Sequence, residues 1–401
     1  MTIVFILLLA FLLAALWLRI DFLRGKKLHK QKYEKKDYPI RYADLSFFTE
    51  GKMLFSDLFE EILRAKQHVH LICYIVREDS IGHHFFSLLK SKAKEGVEVR
   101  LLLDWVGSNR LNPTIIRELK EAGVHFSFCQ VPRLPYLFYS LQVRNHKKIC
   151  VIDGRVGYLG GFNIGDEYIG GDPKLSPWRD YHLKMTGEGV TDLQAEFLQD
   201  WQNATGEDLQ TDPNYQWPDE SRGKCRHQFF STEGIGLEEN YQKLLRMAEK
   251  KIVIGTPYFI PSERLMTELL GALARNVEIT IIVPQTADHS LVREASYQYF
   301  RRLLKQGANI LQFQHGFYHS KIILIDDKVC DIGTANFDKR SLFLNHEMNC
   351  YVYDPSCIDA LKKELDKDIR SSFPVSKKLL DKPGFSLKLK ETCARLISNF
   401  L

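Results

Sequence analysis

Two features that would point to common protein classes are missing from this sequence. The first is a C-x-x-C pair: the eight cysteines are scattered at 73, 129, 150, 225, 330, 350, 357 and 393. Several sit inside apolar runs, such as Cys73 in HLICYIV and Cys150 in KICVID. They read as small buried hydrophobes in a reducing compartment, not as a disulfide frame or a zinc site. The second is a basic body. The chain has 55 Lys+Arg against 50 Asp+Glu, a net charge of +5. Residues 19–41 alone carry nine Lys/Arg against three acids, so residues 42–401 net −1. A nuclease needs a basic groove for phosphates, so no nucleic-acid partner is expected. The composition, 45% hydrophobic and 26% charged, excludes a disordered chain, a collagen-like fibre and a polytopic membrane protein.

Charge is also missing from residues 1–18. Thr2 to Leu18 is apolar or nearly so, about the lower limit for spanning a hydrocarbon core. Trp17 stands where an interfacial aromatic belongs. A cleaved signal peptide is the alternative, but no Lys or Arg precedes the run; the basic residues follow it. The expectation is a single-pass anchor over 1–20 in the cell membrane, then a basic juxtamembrane segment over 21–41. By the positive-inside rule the rest of the chain is cytoplasmic. The basic segment suits an anionic membrane surface, or serves as a solvated stop-transfer flank.

What the sequence does contain is a repeat. HKKICVIDGRVGYLGGFN (146–163) and HSKIILIDDKVCDIGTAN (319–336) share eight of eighteen residues without gaps, at an offset of 173. Flanking words echo at similar offsets: ILRAKQHVHLICYIV with LLRMAEKKIVIGTPYFI, GVEVRLLLDW with NVEITIIVPQ, LKEAGVHFSF with LKQGANILQF. Each half reads as alternating helices and strands leading into the motif, an α/β pattern. The expected architecture is two duplicated α/β domains, 42–205 and 229–401, joined by a polar Pro/Gly linker over 206–228. A ligand site is expected between them.

Both copies follow H-x-K-x4-D-x6-G-x2-N: His146, Lys148, Asp153, Gly160 and Asn163, then His319, Lys321, Asp326, Gly333 and Asn336. In extended chain, positions i and i+2 share a face, so His and Lys point the same way. Two imidazoles, two ammonium groups and two amides in one pocket suit a phosphodiester. One imidazole can attack phosphorus while the other protonates the leaving alkoxide. The lysines supply the positive charge, so the set calls for no metal and no cofactor. Asp153 and Asp326 fall at turns and are expected to make structural hydrogen bonds.

This doubled pattern resembles the HKD signature of the phospholipase D superfamily. The words RNHKKICVIDGRVGYLGGFNIGDEY, WRDYHLK, TPYFIP and HSKIILIDDKVCDIGTANFDKRSLFLNHEMN are similar to those of bacterial cardiolipin synthases. The likeness covers roughly residues 42–401. It implies two phospholipase D-like domains with one shared active site and a phosphohistidine intermediate. It also implies transfer of a phosphatidyl group between two phosphatidylglycerol molecules, giving cardiolipin and glycerol. A hydrolytic phospholipase D, or a donor or acceptor such as phosphatidylethanolamine, is the alternative. The resemblance further implies an acid holding each motif histidine, matched here by Asp180 and Glu347. On this reading His146 is the nucleophile and His319 the general acid and then base, with the roles open to exchange. Lys148, Lys321, Asn163 and Asn336 would bind phosphate oxygens. Many such synthases carry two N-terminal spans, and this chain shows one.

Weaker signals remain. VPRLPYLFYSLQV (131–143) could dip into a bilayer or pack as a loop. The C-terminal LKETCARLISNFL puts Leu389, Cys393, Leu396, Ile397 and Phe400 on one helical face, expected to pack onto the body. His68, His70, His83 and His84 read as ordinary positions.

Overall fold

The computed structural model describes residues 2–33, 36–215, 222–289, 291–376 and 384–400. The strands of the first half are β1 (Asp37–Phe48), β2 (His68–Cys73), β3 (Glu98–Asp104), β4 (His125–Cys129), β5 (Ile149–Ile152), β6 (Val156–Gly160), β7 (Trp178–Arg179) and β8 (His182–Gly187). Those of the second are β9 (Cys225–Glu233), β10 (Lys251–Gly255), β11 (Glu278–Pro284), β12 (Asn309–Phe313), β13 (Phe317–Tyr318), β14 (Ile322–Ile325), β15 (Val329–Gly333), β16 (His346–Val352) and β17 (Ser372–Pro374).

Fifteen of these strands form one sheet, ordered β17-β12-β11-β10-β14-β15-β16-β9-β1-β8-β6-β5-β2-β3-β4. Apart from the edge strand β17, the order mirrors itself about the antiparallel β9·β1 pair. The duplication read in the sequence is therefore a pseudo-two-fold in space. Neighbours β2, β3 and β4 are parallel, as are β10, β11 and β12. Helices supply their crossovers, as parallel pairing requires.

Period-two alternation separates the sheet's two faces. On β10, Ile252 and Ile254 enter a core belonging to the second half, while Val253 enters one that runs under both halves. On β5, Cys150 and Ile152 join the first half's own core, and Ile149 and Val151 join the shared one. The helices Val190–Thr205 and Pro355–Arg370 cover the shared core with Phe197, Trp201, Ile358 and Leu365. Each half thus has a core of its own on one face, the first half's also taking in Phe317, and a common core lies on the other.

The segment boundaries differ from those expected. The N-terminal helix runs unbroken over Thr2–Lys32, through the first half of the basic segment. β1 begins at Asp37, inside that same segment, and β9 begins at Cys225, inside the expected linker. Charge and polarity hid both strands, although they are the central pair of the sheet. Of the linker, residues 216–221 lie outside the described residues.

Asp21 of the N-terminal helix is buried and accepts a hydrogen bond from the Tyr139 amide at 2.8 Å. Gly25 lies so close to Tyr139 that a Cβ would stand 2.6 Å from its ring. Phe22 packs on Phe138, Tyr139 and Phe400. The helix is therefore docked on the body just past its apolar stretch. Arg19, Arg24, Lys27, Lys30 and Lys32 remain exposed.

The C-terminal helix Phe385–Leu396 overturns one expectation. Leu389, Cys393, Leu396 and Ile397 are exposed, and Ala394 is its one buried residue. It is held to the body by Ala394 and Leu387, which pack on the second half's core, and by a bidentate Arg301–Glu391 pair at 2.7 and 2.8 Å. Of the cysteines, six are buried, Cys357 is half-buried and Cys393 is exposed.

Candidate active site

The motif histidines lie in extended chain just before β5 and β14, where the two halves touch. Asn145 bridges His346 in parallel, with His146 N–H donating to the His346 carbonyl at 2.9 Å and His346 N–H to the Arg144 carbonyl at 2.8 Å. The matching contact is β7 beside β13, where His319 N–H donates to the Arg179 carbonyl at 2.7 Å. Each histidine is thus pinned by backbone from the opposite half.

The carboxylates cross over in the same way. His146 Nδ1 lies 2.9 and 3.1 Å from the two oxygens of Glu347, which belongs to the second half. His319 Nδ1 lies 2.6 Å from Asp180 Oδ2, which belongs to the first. Holding Nδ1 fixes each ring and directs Nε2 away from the acid. The sequence paired each acid with the site in general; the structure shows the pairing to be across the halves.

The two clamps are built differently. Glu347 also accepts from Thr334 Oγ1 at 2.7 Å, Ser341 Oγ at 2.8 Å and Asn345 Nδ2 at 3.2 Å. Among the described residues no lysine is in ion-pair contact with it. Asp180 accepts from the Tyr181 amide at 2.8 Å and contacts Lys321 Nζ at 3.4 Å. Burial alone would raise both acids. Lys321 and His319 pull Asp180 below the usual range, and His146 with the hydrogen bonds pulls Glu347 below it. Both acids therefore stay ionised in a site where an unpaired charge would cost several kcal/mol.

Glycine makes the approach possible. A Cβ on Gly161 would stand 2.1 Å from Asp180 Oδ1, and one on Gly333 would stand 2.4 Å from the Met348 carbonyl oxygen. The Gly160 and Gly333 positions of the motif are close-packing sites against the neighbouring strands, at His182 and at Met348–Asn349.

Lys148 Nζ donates to the His146 carbonyl at 2.8 Å, and Lys321 Nζ donates to the His319 carbonyl. Both are buried and both are shifted down, chiefly by desolvation. Lys148 falls to about 7, with Glu347 resisting and Lys321 assisting the shift. Desolvation also lowers His146, and lowers His319 to about 4 with help from Lys321. A bound diester anion would favour the charged form of all four groups.

Asn163 Oδ1 accepts from the Ile75 amide at 3.2 Å, and its Nδ2 donates to Tyr168 at 3.0 Å. Asn336 Oδ1 is buried without a partner among the described residues. Asp153 and Asp326 lie past the far ends of β5 and β14. Asp153 accepts three backbone N–H groups, from Lys66, Gln67 and His68 at 2.7–2.9 Å. Asp326 does the same with Glu249, Lys250 and Lys251 at 2.8–3.0 Å. Both adopt a positive φ, 52° and 48°, a cost these bonds offset. They fasten the motif hairpin to the start of its neighbour in the sheet, β2 in one half and β10 in the other.

Several neighbours were not singled out from sequence. Tyr74 stands edge-on to His146 at 5.1 Å, and Tyr258 to His319 at 6.5 Å. They are repeat equivalents, visible as the aligned tyrosines of LICYIV and TPYFI. Trp178 packs 4.9 Å from the His319 ring. Thr334, Ser341 and Asn345 lay within the quoted GTANFDKRSLFLNHE word, unremarked beside Asn336 and Glu347. Of the histidines read as ordinary, His68 and His70 are buried, with Gln194 between them at 3.1 and 2.8 Å.

Two predictions follow from these contacts. Glu347→Gln keeps the shape but removes the charge, and kcat should fall about 10³–10⁴-fold, as for a lost triad carboxylate; a steady-state assay checks it. Lys148 loses its proton near pH 7 in the free site, so kcat/KM should fall as pH rises through that value. Lys148→Arg, which stays charged, should remove this alkaline limb from the pH profile.

The model of the family described as "Cardiolipin synthase, PLD-like domain" matches residues 58–201 and 241–369. The chain is 38% identical over 382 residues to the minor cardiolipin synthase ClsB of Bacillus subtilis, covering 95% of each. It is 39% identical over 359 residues to a cardiolipin synthase of a Geobacillus species, covering 88% of this chain and 71% of the relative. Among solved structures, a phosphatidylserine synthase of Haemophilus influenzae matches with a TM-score of 0.73 at 16% identity, over 94% of this chain and all of that one. A polyphosphate kinase of Porphyromonas gingivalis matches at 0.58 and 14%, over 89% of this chain and 54% of its own; both show the fold alone. A doubled HKD motif on a mirrored sheet, matched along nearly its whole length, places this chain in the cardiolipin synthase family of phospholipase D-like phosphatidyltransferases.

Proposed function

We propose that the protein joins two phosphatidylglycerol molecules into cardiolipin and glycerol through a phosphohistidine. The crossed His–carboxylate pairs carry this reading. His146 Nε2 attacks phosphorus, the P–O bond to glycerol breaks, and protonated His319 gives its proton to the departing alkoxide. Neutral His319 then takes the hydroxyl proton of a second phosphatidylglycerol. That oxygen attacks phosphorus, and the P–N bond breaks. The difference between the clamps supports this order. The phosphorylated imidazole is cationic, and Glu347 offers His146 a charge shared with no contacting lysine. Asp180 shares its charge with Lys321, which leaves His319 the stronger acid.

The membrane is the proposed partner surface. The helix Thr2–Lys32 is long and apolar enough to cross a bilayer, and its apolar residues are exposed. Beside its docking point lie two further exposed apolar sets: Val131, Leu134, Leu137 and Leu141, and Phe385, Leu389, Leu396 and Ile397. Phe22, Phe138 and Phe400 join the three segments at 5.4–6.3 Å. Lys388, Lys390 and Arg395 on the C-terminal helix, with the exposed basic residues of the N-terminal one, suit anionic headgroups. The catalytic body then sits cytoplasmic, flat against the leaflet that holds its substrate.

Purified protein given phosphatidylglycerol should yield cardiolipin and glycerol by mass spectrometry, and trapping under alkaline conditions, in which the acid-labile P–N bond survives, should place the phosphorus label on His146. Phosphatidic acid as the main product would favour hydrolysis, and label on His319 alone would reverse the histidine roles. Phe385→Asp with Leu396→Asp should lower co-sedimentation with phosphatidylglycerol vesicles severalfold in a form lacking residues 2–20; equal binding would refute the seating.

A further inference from the structure

A cavity of about 880 Å³ lies between the N-terminal helix, the 128–143 segment and the adjacent strands β9 and β16. None of the motif histidines or lysines lines it. On its wall, Glu233 and His346 are direct cross-strand partners of the antiparallel β9·β16 pair, so their side chains leave the sheet on one face. His29 comes down on them from the N-terminal helix. One ligand atom from each of the three lies within 4.8 Å of the other two. His29 Nε2 is buried and has no hydrogen-bond partner among the described residues. The two imidazoles stand edge to face, centroids 6.0 Å apart.

We propose that His29, Glu233 and His346 bind a divalent transition-metal ion of the zinc class. Two imidazoles and one carboxylate are a donor set such ions prefer, with the fourth position left to water from the cavity. Tetrahedral ligands at ~2.1 Å stand about 3.4 Å apart, so a small side-chain adjustment closes the set. The Gln130 amide lies 3.3 and 3.4 Å from the ring nitrogens of His346. Turned over, it would accept the N–H left on a metal-bound imidazole. The nearby Lys147 charge is already neutralised by Glu196 and Asp200. The carboxylate offsets one of the ion's charges.

The ion's role follows from what it joins. His29 belongs to the helix that enters the membrane, Glu233 ends one central strand, and His346 immediately precedes Glu347. A bound ion ties the anchor helix to the strand that positions the His146 clamp. It takes no part in bond making.

The test uses the full chain in detergent, stripped with a chelator and titrated with Co²⁺ and with Zn²⁺. One equivalent should bind by calorimetry, Co²⁺ should give a visible ligand-field spectrum, and Zn²⁺ should raise the thermal midpoint. His29→Ala and the isosteric Glu233→Gln should each weaken binding at least tenfold, with circular dichroism unchanged. His83→Ala, at an exposed position, should bind as the parent does. Absence of stoichiometric binding by the parent, or undiminished binding by either variant, overturns the proposal.

Discussion

The structure depends on one exchange: each motif imidazole is held by a carboxylate from the other half of the chain. Glu347 reaches back to His146, and Asp180 reaches forward to His319. Neither half holds a complete acid–imidazole pair, so the site exists only when the halves are joined. The sheet meets that demand. A mirrored order about β1·β9 brings the two motif hairpins to one seam, and a core shared under both halves keeps them from separating. The parallel bridges at Asn145–His346 and β7·β13 set the register between them to single residues.

Burial is the second constraint, and it works against the charges the chemistry needs. Both lysines and both histidines are pushed toward their neutral forms in the free site, while both carboxylates remain ionised. The resting pocket is therefore poised for an anion. A bound diester anion would restore the protons that burial disfavours and would meet the positive charge it induces. Tyr74, Tyr258 and Trp178 pack around the same rings.

Much of this was legible in the sequence, for physical reasons. The repeat exposed the pseudo-symmetry because duplicated elements keep their apolar periodicity. The H-x-K spacing fixed a shared face, and the position of Asp153 and Asp326 at turns fitted their role as backbone acceptors. What stayed hidden depends on contacts far apart in the chain. The crossing of Asp180 and Glu347 is a tertiary fact with no local signature. β1 was masked by the charges of DYPIRYADLSFF, and β9 by the polar segment before it. The apolar face of the C-terminal helix was legible as a stripe, but the stripe alone does not say whether protein or lipid covers it. In the structure that stripe is exposed, beside Phe22 and Phe138.

The crossing itself is best tested by following the two imidazole Nδ1–H protons in selectively ¹⁵N-labelled protein at low field in the proton spectrum. Glu347→Gln should remove or shift the His146 resonance and leave that of His319, and Asp180→Asn should do the reverse. A Glu347→Gln spectrum in which the His319 resonance is lost and that of His146 persists would contradict the crossing.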